Sequence, residues 1–190
     1  MSGGGTRGGA HGILWWPTAL GTVAGVAVGI GGGLAAVIMV CAAIYVLAAV
    51  VGRPNAAWIG FLASFPFIGA GIVLHQPWVS LAAIGLAALV LVGVGIARRT
   101  WTTASNRWQL LGILVFSAIA VAVALLGATL AAGVLVVAGL LGHAAWDVWH
   151  HVRRAVVARS YAEFCAVLDL VLAIVVAASL ALGGVGATGA

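Results

Sequence analysis

Six apolar runs follow one another along this chain, at about 34–51, 56–74, 78–97, 108–126, 128–150 and 161–182. A hydrocarbon core about 30 Å thick takes roughly 20 apolar residues per helical crossing, and each run has about that length. Only helices fit, because an open strand leaves its backbone unsatisfied in lipid and none of the runs alternates apolar with polar residues. The expected fold is all-α, a polytopic transmembrane helical bundle. It forms a single domain over 15–182, between a flexible glycine-rich tail at 1–14 and a short glycine-rich tail at 183–190. With 65% hydrophobic and 6% charged residues, the chain cannot fold in water without exposing large apolar patches. Its 190 residues leave no room for a soluble domain beside the crossings.

The number of crossings turns on residues 15–51, too long for one ordinary span and slightly short for two. The triplet Gly31-Gly32-Gly33 is either a turn or a close-packing point, so the bundle has six or seven spans. Arg7 precedes this run, but GTVAGVAVGIGGGLAAV lacks the break expected after a signal peptide and reads as structure. Small residues at Gly21, Gly25 and Gly29 recur every fourth position, which favours close helix packing. Pro66 predicts a bend in its helix. His75 reads as a turn residue before Pro77, and Cys41 and Cys165 as free thiols inside apolar segments.

The basic excess is arginine alone, with no lysine. Arg53, Arg98, Arg99, Arg107, Arg153, Arg154 and Arg159 fall in alternate connections. This is the positive-inside pattern rather than a nucleic-acid footprint, and it places the C-terminus on the non-cytoplasmic side. Arg7 favours a cytoplasmic N-terminus and seven spans. The arginine bias and the Ala, Gly and Val richness point to a bacterial inner (cytoplasmic) membrane, with membrane lipid as the partner and no nucleic acid.

Chemistry is concentrated in residues 143–169, HAAWDVWHHVRRAVVARSYAEFCAVLD, which hold all three acidic residues and three of the five histidines. At about 100° per residue, His143, Asp147, His150 and His151 share one helix face, while Trp146 and Trp149 point to another side, as in an interfacial belt. On the last helix Tyr161, Cys165 and Asp169 share a face, and Glu163 lies well round from Asp169. The short connection makes the two helices an antiparallel hairpin. At about 1.5 Å per residue, His143 and Asp169 are both roughly a dozen ångströms inside the membrane. Asp169 needs a partner there, because an aspartate at a helix centre costs about 2.5–3.5 kcal/mol on insertion scales. His143 is the partner that depth and facing select.

Three readings follow. In the first, His143, Asp147, His150 or His151, and Cys165 ligate zinc or iron, and Asp169 orients the site or acts as catalytic general base. In the second, the residues form a structural polar network. There His143 pairs with Asp169 and Asp147 with an arginine of RRAVVAR, while His150 and His151 sit at headgroup level. The third is a haem ligand or a proton relay. His75 cannot join His143 on one haem, because a membrane thickness separates them.

The string GHxxWDxxHH followed by YxxxCxxxD, here from Gly142 to Asp169, resembles small multi-pass bacterial membrane proteins of uncharacterised function, a likeness that implies no activity. The chain is similar in part to the seven-helix intramembrane metal hydrolases related to ceramidases and adiponectin receptors, which place His and Asp ligands near the cytoplasmic face. The HxxxH pattern of their final helix is absent. Membrane desaturases and hydroxylases use more histidines for a di-iron centre than the five available. The enzymatic expectation is therefore metal-activated water attacking an ester or amide of an amphiphilic lipid substrate. The competing expectation is a non-catalytic integral subunit, packed with other membrane subunits or as a homo-oligomer. A transporter is disfavoured, because the other helices offer no polar groups at successive depths.

Overall fold

The computed structural model describes residues 14–184. They form seven α-helices, α1 (Trp15–Gly31), α2 (Leu34–Val51), α3 (Ala56–Val73), α4 (Pro77–Ala97), α5 (Ala104–Leu126), α6 (Leu130–Arg153) and α7 (Arg159–Ala181), with a 3-10 turn at Thr100–Thr102. There is no strand among the described residues. Arg7, His11 and most of both glycine-rich ends lie outside them. Six helices, α2 to α7, are long and apolar enough to cross a membrane, and α1 is a helix of 17 residues.

The glycine triplet is a turn. Gly32 and Gly33 have φ of 85° and 77°, in the region that a Cβ disfavours, so glycine is what allows α1 to end and α2 to begin within two residues. Several helices extend beyond their apolar runs. Thr103 accepts a hydrogen bond from the Asn106 amide at 3.3 Å and starts α5 four residues before the apolar stretch at 108. Thr129 caps α6 in the same way through Ala132, at 3.2 Å. Capping chemistry and satisfaction of the backbone set helix ends, whereas hydropathy reports only the slab of lipid. The helix α3 runs on through Pro66, and a cavity of about 110 Å³ between α2, α3 and α4 lies beside Ser64 and Phe67.

Packing pairs give the relative direction of most of the helices, and the three-residue turn from Val73 to Pro77 returns α4 against α3. Gly21 lies against Phe164, Gly25 against Leu168 and Gly29 against Val175, so α1 runs parallel to α7. Gly60 meets Ile44 while Gly33 meets Ile72, so α3 is antiparallel to α2. Gly112 packs on Trp146 and Gly139 on Ile119, so α5 is antiparallel to α6. Gly139 also meets Ile38, and Tyr45 bonds Asp147, so α2 is parallel to α6. Gly85 faces Met39 in α2, which is the neighbour of α4 in the bundle. The chain thus alternates direction, and all seven arginines among the described residues fall at one end of the bundle.

The axis of the bundle is α2. Almost its whole surface is buried, against α3, α4, α5 and α6, whereas the other helices bury one face and turn the rest outward. The outward faces carry Ile59, Leu62, Leu86, Leu89, Leu114, Leu125 and Ile174, all exposed. An apolar exterior around an apolar core is the arrangement of a protein whose solvent is lipid. The helix α1 packs closely on α7 through its glycines. A Cβ on Gly25 would sit 2.8 Å from the Leu168 carbonyl oxygen, closer than real contacts allow. Gly25→Leu is therefore expected to lift α1 from α7 and to destabilise the protein by about 1–3 kcal/mol. Gly93→Leu, at a position with open space around it, should stay within about 0.5 kcal/mol of the parent. Denaturant unfolding in detergent, followed by circular dichroism, measures both.

Candidate metal centre

The helical period brings chemistry to the inside of the bundle. On α6, His143, Asp147 and His150 occupy successive turns of the face that packs inward, and each is at most 1% exposed. On α7, Tyr161, Cys165 and Asp169 do the same. The axial helix α2 supplies Cys41 and Tyr45, four residues apart and therefore on one face. The helix α5 supplies Gln109, also buried.

These side chains meet around His143. Its Nδ1 lies 2.8 Å from Asp169 Oδ2 and 3.1 Å from Asp147 Oδ2, so one ring N–H is shared by carboxylates from two helices. The Tyr45 hydroxyl donates to the other oxygen of Asp147. Phe116 packs edge-on against the imidazole, with ring centroids 4.7 Å apart. The other ring nitrogen, Nε2, is buried and has no hydrogen-bond partner among the described residues. A donor group of Cys41, a ring nitrogen of His143 and a carboxylate oxygen of Asp169 all lie within 4.8 Å of one another. The Cys165 thiol sits beside Cys41, and both cysteines are free.

Two carboxylates in an apolar interior demand neutralisation. The arginine expected to pair with Asp147 does not do so: Arg153 and Arg154 are exposed, and Arg159 bonds His151. A tyrosine hydroxyl and a histidine take its place. A divalent ion, or two protons, would neutralise the pair. Thiol, imidazole and carboxylate together form a donor set that suits zinc, and that iron also accepts.

The sequence-derived site residues, Asp169 expected as orienter or general base and the others as ligands, separate into four groups. His143 and Asp169 converge with Cys41, and Cys165 is adjacent. Asp147 holds the same His143 nitrogen, Nδ1, from within α6. His150 is buried: Nδ1 lies 2.9 Å from the Trp146 carbonyl oxygen, to which it donates, leaving Nε2 to accept from Gln109 Nε2 at 3.0 Å. His151 lies apart, half-buried, its Nδ1 3.2 Å from the Arg159 carbonyl oxygen and its Nε2 accepting from Arg159 Nη2 at 2.9 Å. Nearby, Glu163 accepts from Thr18 of α1 at 2.8 Å, a contact between the first and last helices.

Cys41, Tyr45 and Gln109 escape a reading centred on residues 143–169. One signal was present: Cys41 and Tyr45 are the two residues of α2 with a thiol or hydroxyl in an otherwise apolar run, and they stand at helical spacing. The chain matches no protein-family model, no curated protein and no solved structure.

The network separates two tyrosines. Tyr45→Phe leaves one oxygen of Asp147 without its donor and is expected to cost about 1–3 kcal/mol. Tyr161→Phe, which removes a buried hydroxyl with no oxygen or nitrogen partner among the described residues and at most a weak contact with the Cys165 thiol, should be neutral or nearly so. Unfolding free energies of the two variants in the same detergent decide the matter, and equal losses would contradict the network.

Proposed function

We propose that this chain is an integral protein of a bacterial cytoplasmic membrane that binds one zinc or iron ion at Cys41, His143 and Asp169, with Cys165 beside them, as a closed clasp between α2, α6 and α7. The observation that carries this reading is the convergence of donor atoms of Cys41, His143 and Asp169 within 4.8 Å of one another in the buried interior, with a second carboxylate, Asp147, on His143 Nδ1. A histidine that ligates a metal typically has its second nitrogen fixed by a carboxylate, which sets the tautomer and raises the basicity of the free nitrogen. Asp147 and Tyr45 then act as positioning residues for His143.

In this reading the arginine-bearing end faces the cytoplasm, α1 begins there as the first of seven crossings, and the C-terminus leaves on the other side. The parallel course of α1 and α7 supports this, because both start at that end. A closed clasp accords better with the geometry than hydrolysis of an amphiphilic substrate does. Hydrolysis needs an open coordination position reached by water or lipid. Yet His143, Asp147 and Asp169 are at most 1% exposed, and none of four surface cavities is lined by them. A clasped bundle suits a packing role, alone or with other membrane subunits.

Elemental analysis of detergent-purified protein after exhaustive dialysis without chelator tests the proposal. About one zinc or iron per chain is expected in the parent, and a small fraction of that in Cys41→Ser and His143→Ala. Circular dichroism and size exclusion show whether each variant has folded, and Cys41→Ser, which changes one atom, is the variant least liable to fail. A folded parent that retains no metal even after incubation with zinc would refute the proposal and leave a metal-free polar network.

A further inference from the structure

A second feature lies on the outside of the bundle, between α5 and α6 at the arginine-bearing end. Trp108, Gly142, Ala145, Trp146 and Trp149 line an open groove of about 550 Å³. Trp108 also lines an adjoining cavity of about 420 Å³ together with Arg107. Gly142 and Ala145 carry almost no side chain, so the wall between the indoles is low. The Trp146 ring is held from behind by Phe116, at a centroid distance of 6.5 Å, and by the close approach of Gly112. This wall is therefore fixed rather than collapsible.

The rim is cationic. Arg107 stands in the first turn of α5 and Arg153 in the last turn of α6, so both lie at the same end of the bundle. The Arg153 guanidinium carbon is 6.0 Å from the centre of the Trp149 ring, which places its charge over the groove wall. Neither arginine has a carboxylate partner among the described residues, and all three acidic side chains of the chain are buried elsewhere, Asp147 and Asp169 in the polar centre and Glu163 against α1. Two exposed guanidiniums without internal counter-charge, above an indole-walled apolar slot that opens to the lipid, are complementary to one kind of molecule. Its anionic head must sit at the surface and its chain must run along the bundle.

We propose that this groove is a binding site for an anionic phospholipid, its phosphate between Arg107 and Arg153 and one acyl chain along Trp108 and Trp146. Arginine binds phosphate through a planar fork that lysine lacks, and indoles favour this depth of the bilayer. Basic pockets between transmembrane helices are a recurrent way of retaining such lipids. The site is separate from the metal centre and does not depend on it.

Native mass spectrometry of delipidated protein, exchanged into detergent with equal amounts of phosphatidylglycerol and phosphatidylcholine, tests the assignment. One phosphatidylglycerol per chain is expected to be retained in preference to phosphatidylcholine, by roughly thirtyfold if each arginine contributes as a surface cation does. Arg107→Gln with Arg153→Gln should abolish the preference, whereas Arg98→Gln, at the same end but neither lining the two cavities nor stacked over one of their tryptophans, should keep it. Equal retention of the two lipids by the parent overturns the proposal. So does a loss in Arg98→Gln as large as in the double variant, which would mark a diffuse surface charge. Circular dichroism of the double variant, whose two positions are exposed, verifies that the helices are intact.

Discussion

The hydrogen bonds from His143 to Asp147 and Asp169 are the constraint on which the rest of this bundle depends. An aspartate deep in a transmembrane helix opposes insertion, and this chain carries two of them at neighbouring depth on adjoining helices. Their cost is tolerable only if α6 and α7 keep one register, because a one-residue shift would turn Asp169 by about 100° away from the imidazole. Tyr45 adds α2 to the arrangement. The three helices are therefore locked in rotation and in depth by a few polar atoms, while apolar packing, which is weakly directional, fills the space around them.

That division of labour explains the placement of the other features. The axial helix α2 is buried on all sides, so it can be almost wholly aliphatic and still present a thiol and a phenol toward α6 and α7. The outer helices turn leucine, isoleucine and valine outward, where lipid replaces water as solvent. The helix α1 needs no polar anchor in the middle of the membrane, because its glycines let two backbones touch and the Thr18–Glu163 hydrogen bond ties its first turns to α7. At the arginine-bearing end the same chain changes character, with indoles and guanidiniums on its surface.

Much of this was legible in the residues. The order of the helices α2 to α7 follows from run lengths and the His143–Asp169 pairing from equal depth in a hairpin, whereas the glycine triplet read equally as a turn or a packing point and left the first helix open. The ends of α5, α6 and α7 were harder to read, since helices persist through the polar interface where hydropathy stops. The contribution of α2 was not derivable from one window, because a contact between residues 45 and 147 depends on how three helices are arranged around an axis. The same holds for the partner of Asp147: an arginine reads as the obvious counter-charge in sequence, yet in the bundle the Tyr45 phenol and His143 take that place.

X-ray absorption at the zinc or iron edge of the purified, metal-loaded protein addresses the central claim most directly. The account predicts a coordination shell with at least one sulfur at about 2.3 Å and nitrogen or oxygen at about 2.0–2.2 Å, the sulfur contribution being lost or reduced in Cys41→Ser. A shell of oxygen and nitrogen alone, unchanged by that substitution, would place the ion elsewhere and contradict the account.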